Sequence, residues 1–251
     1  MPNRYNEMGY WEIVTRQMSI ISKNKQQIFK DSKIAVIGCG GIGGAAIEML
    51  ARMGVGELNI VDSDYFDMSN LNRQTMSSLK DLNYFKSEST KKNIHNINPY
   101  VKVNAFNEFV DENNIEKIVS SCDVIIDGLD NLLTRVIVSR YAKENNIPLI
   151  HGAIHGTMGQ MTVFSEDTAS YEELFSLPSF NKQLDEDLKE EINNISSELP
   201  PAIGPVPNVI GCIQAMEAFK LITGIGKITY APEIFKFDLL FLDSFNVEKI
   251  L

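Results

Sequence analysis

The sequence has few of the features that mark membrane, secreted or nucleic-acid-binding proteins. Its 251 residues include only three cysteines, Cys39, Cys122 and Cys212, and no CxxC pair. A disulfide framework and a four-thiolate zinc site are therefore disfavoured, and no zinc is expected. No apolar run approaches the roughly 18 residues that a membrane-spanning helix needs, and the N-terminus has no apolar signal region. With a net charge of −10, these absences predict a cytoplasmic protein that binds neither membranes nor nucleic acid.

Most of the negative charge lies in one segment. Residues 166–200 hold ten acidic residues and two lysines, a net of −8, so the other 216 residues sum to only −2. The segment lies between periodic elements. It is interpreted either as a solvated surface insertion with a short helix of its own or as a mobile lid.

Residues 33–62 have the order strand, glycine-rich turn, helix, strand and acid. The apolar run 34–37 leads into GCGGIGG (38–44), residues 45–54 carry apolar side chains at helical spacing, and the run 58–61 ends at Asp62. This is the order of a parallel βαβ unit. Glycine lets backbone N–H groups approach a phosphate, and an acid at the end of the next strand can accept from ribose hydroxyls. Nucleotide binding is predicted, and on this motif alone NAD would be favoured over FAD or ATP.

The rest of the chain alternates predicted strands and helices. Strands are expected at 101–106, 123–128, 147–153 and 159–164, helices at 16–30, 113–120, 131–146 and 208–224, and antiparallel or edge strands at 233–240 and 244–251. The prediction is one α/β domain with a Rossmann-like, doubly wound, mostly parallel sheet and a mixed or antiparallel C-terminal part. Its expected parts are N-terminal helices (1–32), a nucleotide-binding part (33–164), an acidic crossover loop (165–203) and a C-terminal helix with strands (204–251).

Five motifs in register carry a resemblance to a known family. They are GCGGIGG (38–44), DSDYFDMSNLNRQ (62–74), Lys86 followed by INPYVKV (97–103), DGLDN (127–131) and GPVPNVIGCIQAMEAFKLITG (204–224). With them the sequence resembles the ThiF/MoeB/HesA family, the ubiquitin-activating-enzyme-like adenylyltransferases, over most of the chain from about residue 14 onward. The resemblance implies that ATP and magnesium are used to form an acyl-adenylate from a substrate carboxylate, with release of pyrophosphate.

The resemblance also assigns site residues, and their chemistry agrees with it. Attack of a carboxylate on ATP brings two anions together, so the planar fork of Arg73 and the point charge of Lys86 suit the phosphates. Asp130, after a predicted strand, is the candidate magnesium ligand. Arg16 matches the family's arginine that reaches into the site of the other subunit, which implies a homodimer. The implied nucleotide-binding residues are Gly38, Gly40, Gly41, Gly43, Asp62, Ser69, Asn70, Arg73, Gln74, Lys86, Asp130 and Asn131.

Several residues near these motifs have simpler interpretations. Residues 130–131 could cap the helix that begins there, which does not exclude metal binding. Asp64 and Asp67 could be turn residues only. His151 and His155 flank a strand end. They are interpreted as core or surface histidines rather than catalytic groups, because adenylylation needs no general base.

The cysteines depart from the family pattern. Many relatives hold a structural zinc with two CxxC pairs, and some form a thioester or persulfide on a cysteine of the crossover loop, whereas segment 165–203 has no cysteine. Cys39, Cys122 and Cys212 are expected to be packing residues. Adenylylation is therefore predicted without later covalent transfer on this chain.

The apolar residues of the acidic segment lie in its first half. We expect this half to fold over the substrate carboxylate as a lid, while the acidic half stays mobile or repels other anions. The residues concerned are Tyr171, Leu174, Phe175, Leu177, Phe180 and Leu184.

The substrate stays open between two classes. The family's commonest substrate is the C-terminal Gly-Gly of a ubiquitin-like sulfur-carrier protein, and this is favoured. The alternative is a small-molecule or peptide carboxylate, such as the guanylylpyridinol precursor of the hydrogenase iron-guanylylpyridinol cofactor. A carboxylate on tRNA is disfavoured by the net charge of −10. An NAD-dependent dehydrogenase is a remote alternative, because it does not require Arg73, Lys86 and Asp130, and a non-catalytic partner subunit would be expected to have lost some of them.

Overall fold

A computed structural model describes residues 7–195 and 200–251, which form an eight-stranded sheet with helices on both faces. The strands are β1 (Lys33–Ile37), β2 (Glu57–Val61), β3 (Lys102–Phe106), β4 (Val124–Asp127), β5 (Leu149–His155), β6 (Met158–Phe164), β7 (Glu233–Asp238) and β8 (Phe241–Lys249). The helices are α1 (Glu7–Ile13), α2 (Lys23–Lys30), α3 (Gly41–Met53), α4 (Lys86–Ile97), α5 (Ile115–Val119), α6 (Leu132–Glu144), α7 (Tyr171–Leu174), α8 (Glu186–Ile195) and α9 (Pro205–Thr223). Residues 1–6 and 196–199, which belong to the predicted parts 1–32 and 165–203, lie outside the described residues.

The strand order is β3-β2-β1-β4-β5-β6-β7-β8. The pairs from β3 through β5 are parallel, and the pairs among β5, β6, β7 and β8 are antiparallel. The predicted mostly parallel sheet with an antiparallel C-terminal part is confirmed. After β3 the chain returns to place β4 on the other side of β1, so the order reverses between β1 and β4. Open α/β sheets bind ligands outside the carboxyl ends of the strands at such a point.

The central strands β1, β2 and β4 are mostly apolar and buried beyond their first residue because both faces of the sheet are covered. In β1, Ile34 and Val36 belong to the core under α3 and α9, whereas Ala35 and Ile37 belong to the core under α5 and α6. Successive side chains of a strand point to opposite faces, which accounts for this division.

Several elements differ from their predicted bounds. α3 begins inside the glycine turn at Gly41, and β5 continues to His155. α9 begins at Pro205, where proline suits the first helical turn because its missing N–H would have had no partner there. α4 was not predicted, since its polar sequence gives no clear apolar stripe.

The acidic segment is largely folded. Residues 165–203 contain α7 and α8 rather than one crossover loop. Tyr171 and Leu174 of α7 are buried in the core with Val138, and Leu188 and Ile192 of α8 pack against α6. The described carboxylates of this segment are exposed, except that of Glu172, which is buried and pairs with Arg140.

In the described part of the chain, no helix combines the length and apolar character needed to cross a membrane.

Candidate active site

A cavity of about 720 Å³ lies at the carboxyl ends of β1, β2 and β4, where the strand order reverses. This volume is in the range of small-molecule sites. The structure brings the following predicted site residues to its wall: Gly38, Gly40, Gly41, Asp62, Arg73, Gln74, Lys86, Asp130 and Asn131. Four others do not line it: Gly43, Ser69, Asn70 and Arg16.

The glycine turn has no room for side chains at two positions. Gly38 has a φ of +98°, and a Cβ there would lie 2.6 Å from the Gly128 oxygen. A Cβ on Gly43 would lie 1.8 Å from the Gly38 oxygen. Gly40 precedes α3 and offers no side-chain cap to its first N–H groups. Because these groups and the positive end of the helix dipole lie at the cavity, the turn is suited to bind a phosphate.

Asp62 follows β2 and lies beside this turn. Its Oδ2 accepts a hydrogen bond from the Cys39 amide at 2.8 Å, and its Oδ1 accepts from the Asp64 amide at 2.9 Å. Burial raises the pKa of Asp62 above its ordinary value, and the charge of Lys86 opposes that rise. Each carboxylate oxygen is held by one backbone donor and keeps a lone pair for a ligand hydroxyl.

Arg73 and Gln74 enter the cavity from the turn after a short 3-10 helix, Met68–Asn70. Arg73 Nη1 donates to the Ser69 carbonyl at 2.9 Å and to Asn72 Oδ1 at 2.8 Å. In the described part of the chain, its Nε and Nη2 make no hydrogen bond. Gln74 Oε1 is buried without a partner. Both side chains therefore keep capacity to bind a ligand.

Ser69 and Asn70 support this turn and lie outside the cavity wall. Asp67 Oδ1 accepts from the Ser69 amide at 2.8 Å, and Asn70 Oδ1 accepts from the Asp67 amide at 3.1 Å. The side chains of Asp67 and Asn70 thus form a reciprocal cap on the 3-10 helix. Asp67 thus has a turn role, as its simpler interpretation proposed.

Lys86 is the first residue of α4 and is buried, and its Nζ lies 2.9 Å from Asp64 Oδ2. The Lys86 amide also donates to the Asp64 carbonyl at 2.8 Å. Asp64 therefore does more than form a turn, because it pairs with the candidate phosphate-binding lysine. An ammonium has three donors, so this pair leaves donors for a ligand.

Asp130 and Asn131 lie in the turn between β4 and α6. Asn131 caps α6 by accepting from the Thr134 amide at 2.9 Å. Asp130 is exposed at the cavity, and its carboxylate makes no hydrogen bond or ion pair with residues 7–195 or 200–251. Asn131 is the cap, so the Asp130 carboxylate stays available to a ligand.

Behind this turn lies a buried polar cluster that the sequence did not predict. Asp127 Oδ2 lies 2.7 Å from His151 Nδ1 and 3.0 Å from Arg135 Nε. Burial opposes ionisation of Asp127, but Arg135 and His151 outweigh it and lower the pKa of the carboxyl. Burial lowers the pKa of His151, so the imidazole is neutral and donates from Nδ1. The sequence contains the motif DGLDN (127–131) with Arg135 four residues later. Nothing in it indicates that Asp127 pairs with both Arg135 and His151.

The end of the acidic segment forms one wall of the cavity. Ile195 and residues 200–202 line it, together with Ala153, Ile154 and His155 at the end of β5. The Gly156 amide donates to the Pro201 carbonyl at 2.7 Å, which ties the segment to the β5–β6 turn. The expectation that the first half covers the substrate is wrong, because Tyr171 and Leu174 are buried in the core.

Arg16 lies far from this cavity. The neighbouring Gln17 donates to Gln26 at 2.6 Å and to the Met53 carbonyl at 2.9 Å. Met53 ends the 13-residue α3, whose other end borders the cavity. At about 1.5 Å per residue, the two ends are roughly 20 Å apart. The exposed Arg16 side chain cannot reach the cavity of its own chain from there.

The cysteines divide into two kinds. Burial raises the pKa of Cys39 well above its ordinary value and that of Cys122 to about 12. These two are packing residues, as expected. The same expectation is wrong for Cys212, which is exposed on α9. None of the three lines the described cavity.

Comparisons with known proteins agree with this site. Residues 14–250 match the ThiF family. The molybdopterin-synthase adenylyltransferase of Haemophilus influenzae is 34% identical over 227 residues, 88% of each chain. That of Escherichia coli is 32% identical over 204 residues, 80% of this chain and 77% of its own. The SAMP-activating enzyme E1 of Haloferax volcanii is 35% identical over 196 residues, 78% of this chain and 69% of its own.

Solved structures share the fold. Escherichia coli MccB with ATP superposes with a TM-score of 0.76 at 23% identity, and the match covers 100% of this chain and 73% of MccB. At this identity the likeness establishes the architecture, while the sequence matches establish the family. The chain belongs to the ThiF family and is an adenylyltransferase of the ThiF/MoeB type.

Proposed function

We propose that this chain uses ATP and magnesium to adenylylate the C-terminal carboxylate of a ubiquitin-like sulfur-carrier protein ending in Gly-Gly, in a cofactor-biosynthesis pathway. The observation that carries the proposal is the cavity, which gathers the glycine turn, Asp62, Arg73, Lys86 and Asp130 at one edge of the sheet. The named relatives include molybdopterin-synthase adenylyltransferases and a SAMP-activating E1, and these names favour a carrier protein as substrate.

The chemistry is a displacement at phosphorus. A carboxylate oxygen of the substrate attacks the α-phosphorus of ATP, and the bond from this phosphorus to the oxygen that leads to the β-phosphorus breaks. Pyrophosphate leaves with the electron pair, and the substrate becomes an acyl-adenylate. Both reactants are anions, so the unused donors of Arg73 and Lys86 would neutralise the phosphates as they approach.

The residues fit a magnesium ion that is held mainly by its substrate. No group of three or more His, Cys, Asp or Glu side chains within 7–195 and 200–251 could hold a metal. Magnesium commonly takes one or two protein carboxylates together with substrate phosphates. Asp130, exposed at the cavity, would supply that carboxylate. When bound, the ion would offset the charge of the triphosphate.

The order of the strands suggests how the two substrates share the cavity. Asp62 follows β2, the glycine turn follows β1, Asp130 follows β4, and Ile154 and His155 end β5. Along this edge of the sheet, the ribose would lie at the end of β2 and the phosphates between the ends of β1 and β4. The carrier tail would enter beside β5 and residues 200–202, which places its carboxylate next to the α-phosphate.

We also propose that the working unit is a homodimer in which Arg16 of each chain completes the partner's site. The support is geometric, since Arg16 lies roughly 20 Å from its own cavity, estimated from the length of α3. A second copy related by two-fold symmetry could bring an equivalent Arg16 to each cavity.

The test of this function is pyrophosphate exchange into ATP. A Gly-Gly-ending ubiquitin-like protein of the same organism should stimulate exchange, and the same protein without its last glycine should not. Exchange with peptides or small carboxylic acids, but not with carriers, would transfer the proposal to those substrates. Binding of NAD in place of ATP, or loss of exchange with every carboxylate, would contradict it and favour a dehydrogenase or a non-catalytic subunit.

A further inference from the structure

Arg135 connects three parts of the chain at the wall of the cavity. It lies in the first turns of α6, and its Nε is 3.0 Å from Asp127 Oδ2 at the end of β4. Its Nη2 donates to the Leu129 carbonyl and, at 3.2 Å, to the Gly152 carbonyl of β5. The side chain is only 15% exposed. Guanidinium alone among side chains offers this planar set of donors.

Leu129, the residue before Asp130, is held through both its amide and its carbonyl. The Leu129 amide donates to Asp127 Oδ1 at 2.9 Å, and its carbonyl accepts from Arg135. The residue after Asp130 is Asn131, which caps α6. Asp130 thus stands between two fixed residues, while its own carboxylate has no partner in the described part of the chain.

Stability alone gives a weak account of this arrangement. A buried ion pair loses about as much solvation as it gains in attraction, so replacement by apolar residues is often neutral or stabilising. What an apolar residue cannot supply is a donor to the Leu129 carbonyl. Stability therefore does not explain the hydrogen bond from Arg135 to the Leu129 carbonyl, in the turn that carries Asp130.

We propose that Arg135 is a positioning residue, which orients the Asp130 carboxylate for magnesium and ATP by fixing the Leu129 carbonyl. Asp127 holds Arg135 in that orientation. The inference rests on the proposed function, which gives Asp130 its role as metal ligand. It predicts that Arg135 contributes to the effect of magnesium on ATP binding more than to ATP binding itself.

The experiment measures the dissociation constant of ATP by calorimetry, with magnesium and with EDTA, and takes the ratio. Wild type, Asp130→Ala, Arg135→Lys and Arg140→Lys are compared, each with its unfolding temperature. Arg140 is the matched control, since it lies on the same helix and binds Glu172 at 2.8 and 2.9 Å, away from the cavity. Lysine keeps the charge at both positions but cannot make the several hydrogen bonds that the planar guanidinium group makes.

The magnesium effect is the dissociation constant of ATP in EDTA divided by that with magnesium. We expect Arg135→Lys to reduce this ratio about tenfold or more, toward the ratio of Asp130→Ala. The dissociation constant in EDTA should change by less than about threefold. Arg140→Lys should keep the wild-type ratio even if it unfolds at a lower temperature. A folded Arg135→Lys protein with the wild-type ratio, beside an Asp130→Ala protein that has lost it, would overturn the inference and leave the proposed function intact.

Two further outcomes are also decisive. If Asp130→Ala keeps the wild-type ratio, Asp130 is not the metal ligand, and the inference fails together with that part of the proposed function. If Arg135→Lys does not fold, Asp127→Asn replaces it, because the amide keeps an acceptor for the Leu129 N–H but loses the charge that holds Arg135. The same reduction in the ratio is expected for Asp127→Asn, and a wild-type ratio would refute the positioning role.

Discussion

Two adjacent glycines of the nucleotide-binding turn should respond differently to the same substitution. Gly43 and Gly44 both lie in the first turn of α3. A Cβ on Gly43 would lie 1.8 Å from the Gly38 oxygen and 2.8 Å from the Gly38 carbonyl carbon, so the backbone of the turn would have to move. A Cβ on Gly44 would have its nearest contact at 3.4 Å, to Met76 Cγ, which is an ordinary van der Waals distance.

The expected magnitudes follow from these contacts. Alanine is favoured over glycine in a helix by about 1 kcal/mol, so Gly44→Ala should be neutral or should raise the free energy of unfolding by up to that amount. In Gly43→Ala the clash should outweigh the helix gain, because inserting a methyl group into a packed site costs about 1–3 kcal/mol. For a protein of this size, the unfolding temperature shifts by roughly 2–4 °C for each kcal/mol of change in the free energy of unfolding. The two variants should therefore differ clearly in thermal unfolding.

Thermal and urea unfolding of the two variants, with ATP binding measured well below the unfolding temperature, tests this reasoning. Gly43→Ala should also bind ATP more weakly than Gly44→Ala, because the turn that holds the phosphate has moved. Equal unfolding temperatures for the two variants would refute the packing argument. Equal ATP affinities, despite unequal stability, would refute the phosphate-binding role of the turn.

The remaining predictions concern activity. Asp130→Ala should abolish carrier-dependent pyrophosphate exchange without loss of folding, and near-normal exchange would contradict its metal role. Mixing and exchanging Arg16→Ala with Asp130→Ala chains should restore about a quarter of wild-type activity, since half of random dimers carry one intact site; no recovery would argue against action of Arg16 across subunits. Replacing Cys39, Cys122 and Cys212 together with Ala or Ser should leave exchange within about threefold once folding losses are corrected. A substrate thioester detected on any of them by mass spectrometry would show that covalent transfer occurs on this chain.

The part of the site that was predictable from sequence is the part with local determinants. The apolar run of β1, the glycine turn and Asp62 follow within 30 residues, and the βαβ geometry fixes how they meet. Asp130 reaches the cavity for the same reason, because it lies in the turn that follows the buried strand β4.

The rest depends on contacts between distant residues. Asp127, Arg135 and His151 lie on three different elements, and only the pairing of β4 with β5 brings them together. The exposure of Cys212 could not be predicted because α9 is apolar on nearly every side, so its periodicity does not show which face is buried. The many charges of 166–200 obscured the narrow apolar face of α8, in which Leu188 and Ile192 are buried.

The central claim is that a carboxylate oxygen attacks the α-phosphorus of ATP, and transfer of an oxygen isotope tests it most directly. A Gly-Gly-ending ubiquitin-like protein with 18-oxygen in its terminal carboxylate would be incubated with the enzyme, magnesium and ATP, and the acyl group would be captured with hydroxylamine. The account predicts AMP that carries one 18-oxygen atom, together with unlabelled pyrophosphate. Label in inorganic phosphate with ADP as the other product, or AMP without label, would contradict it.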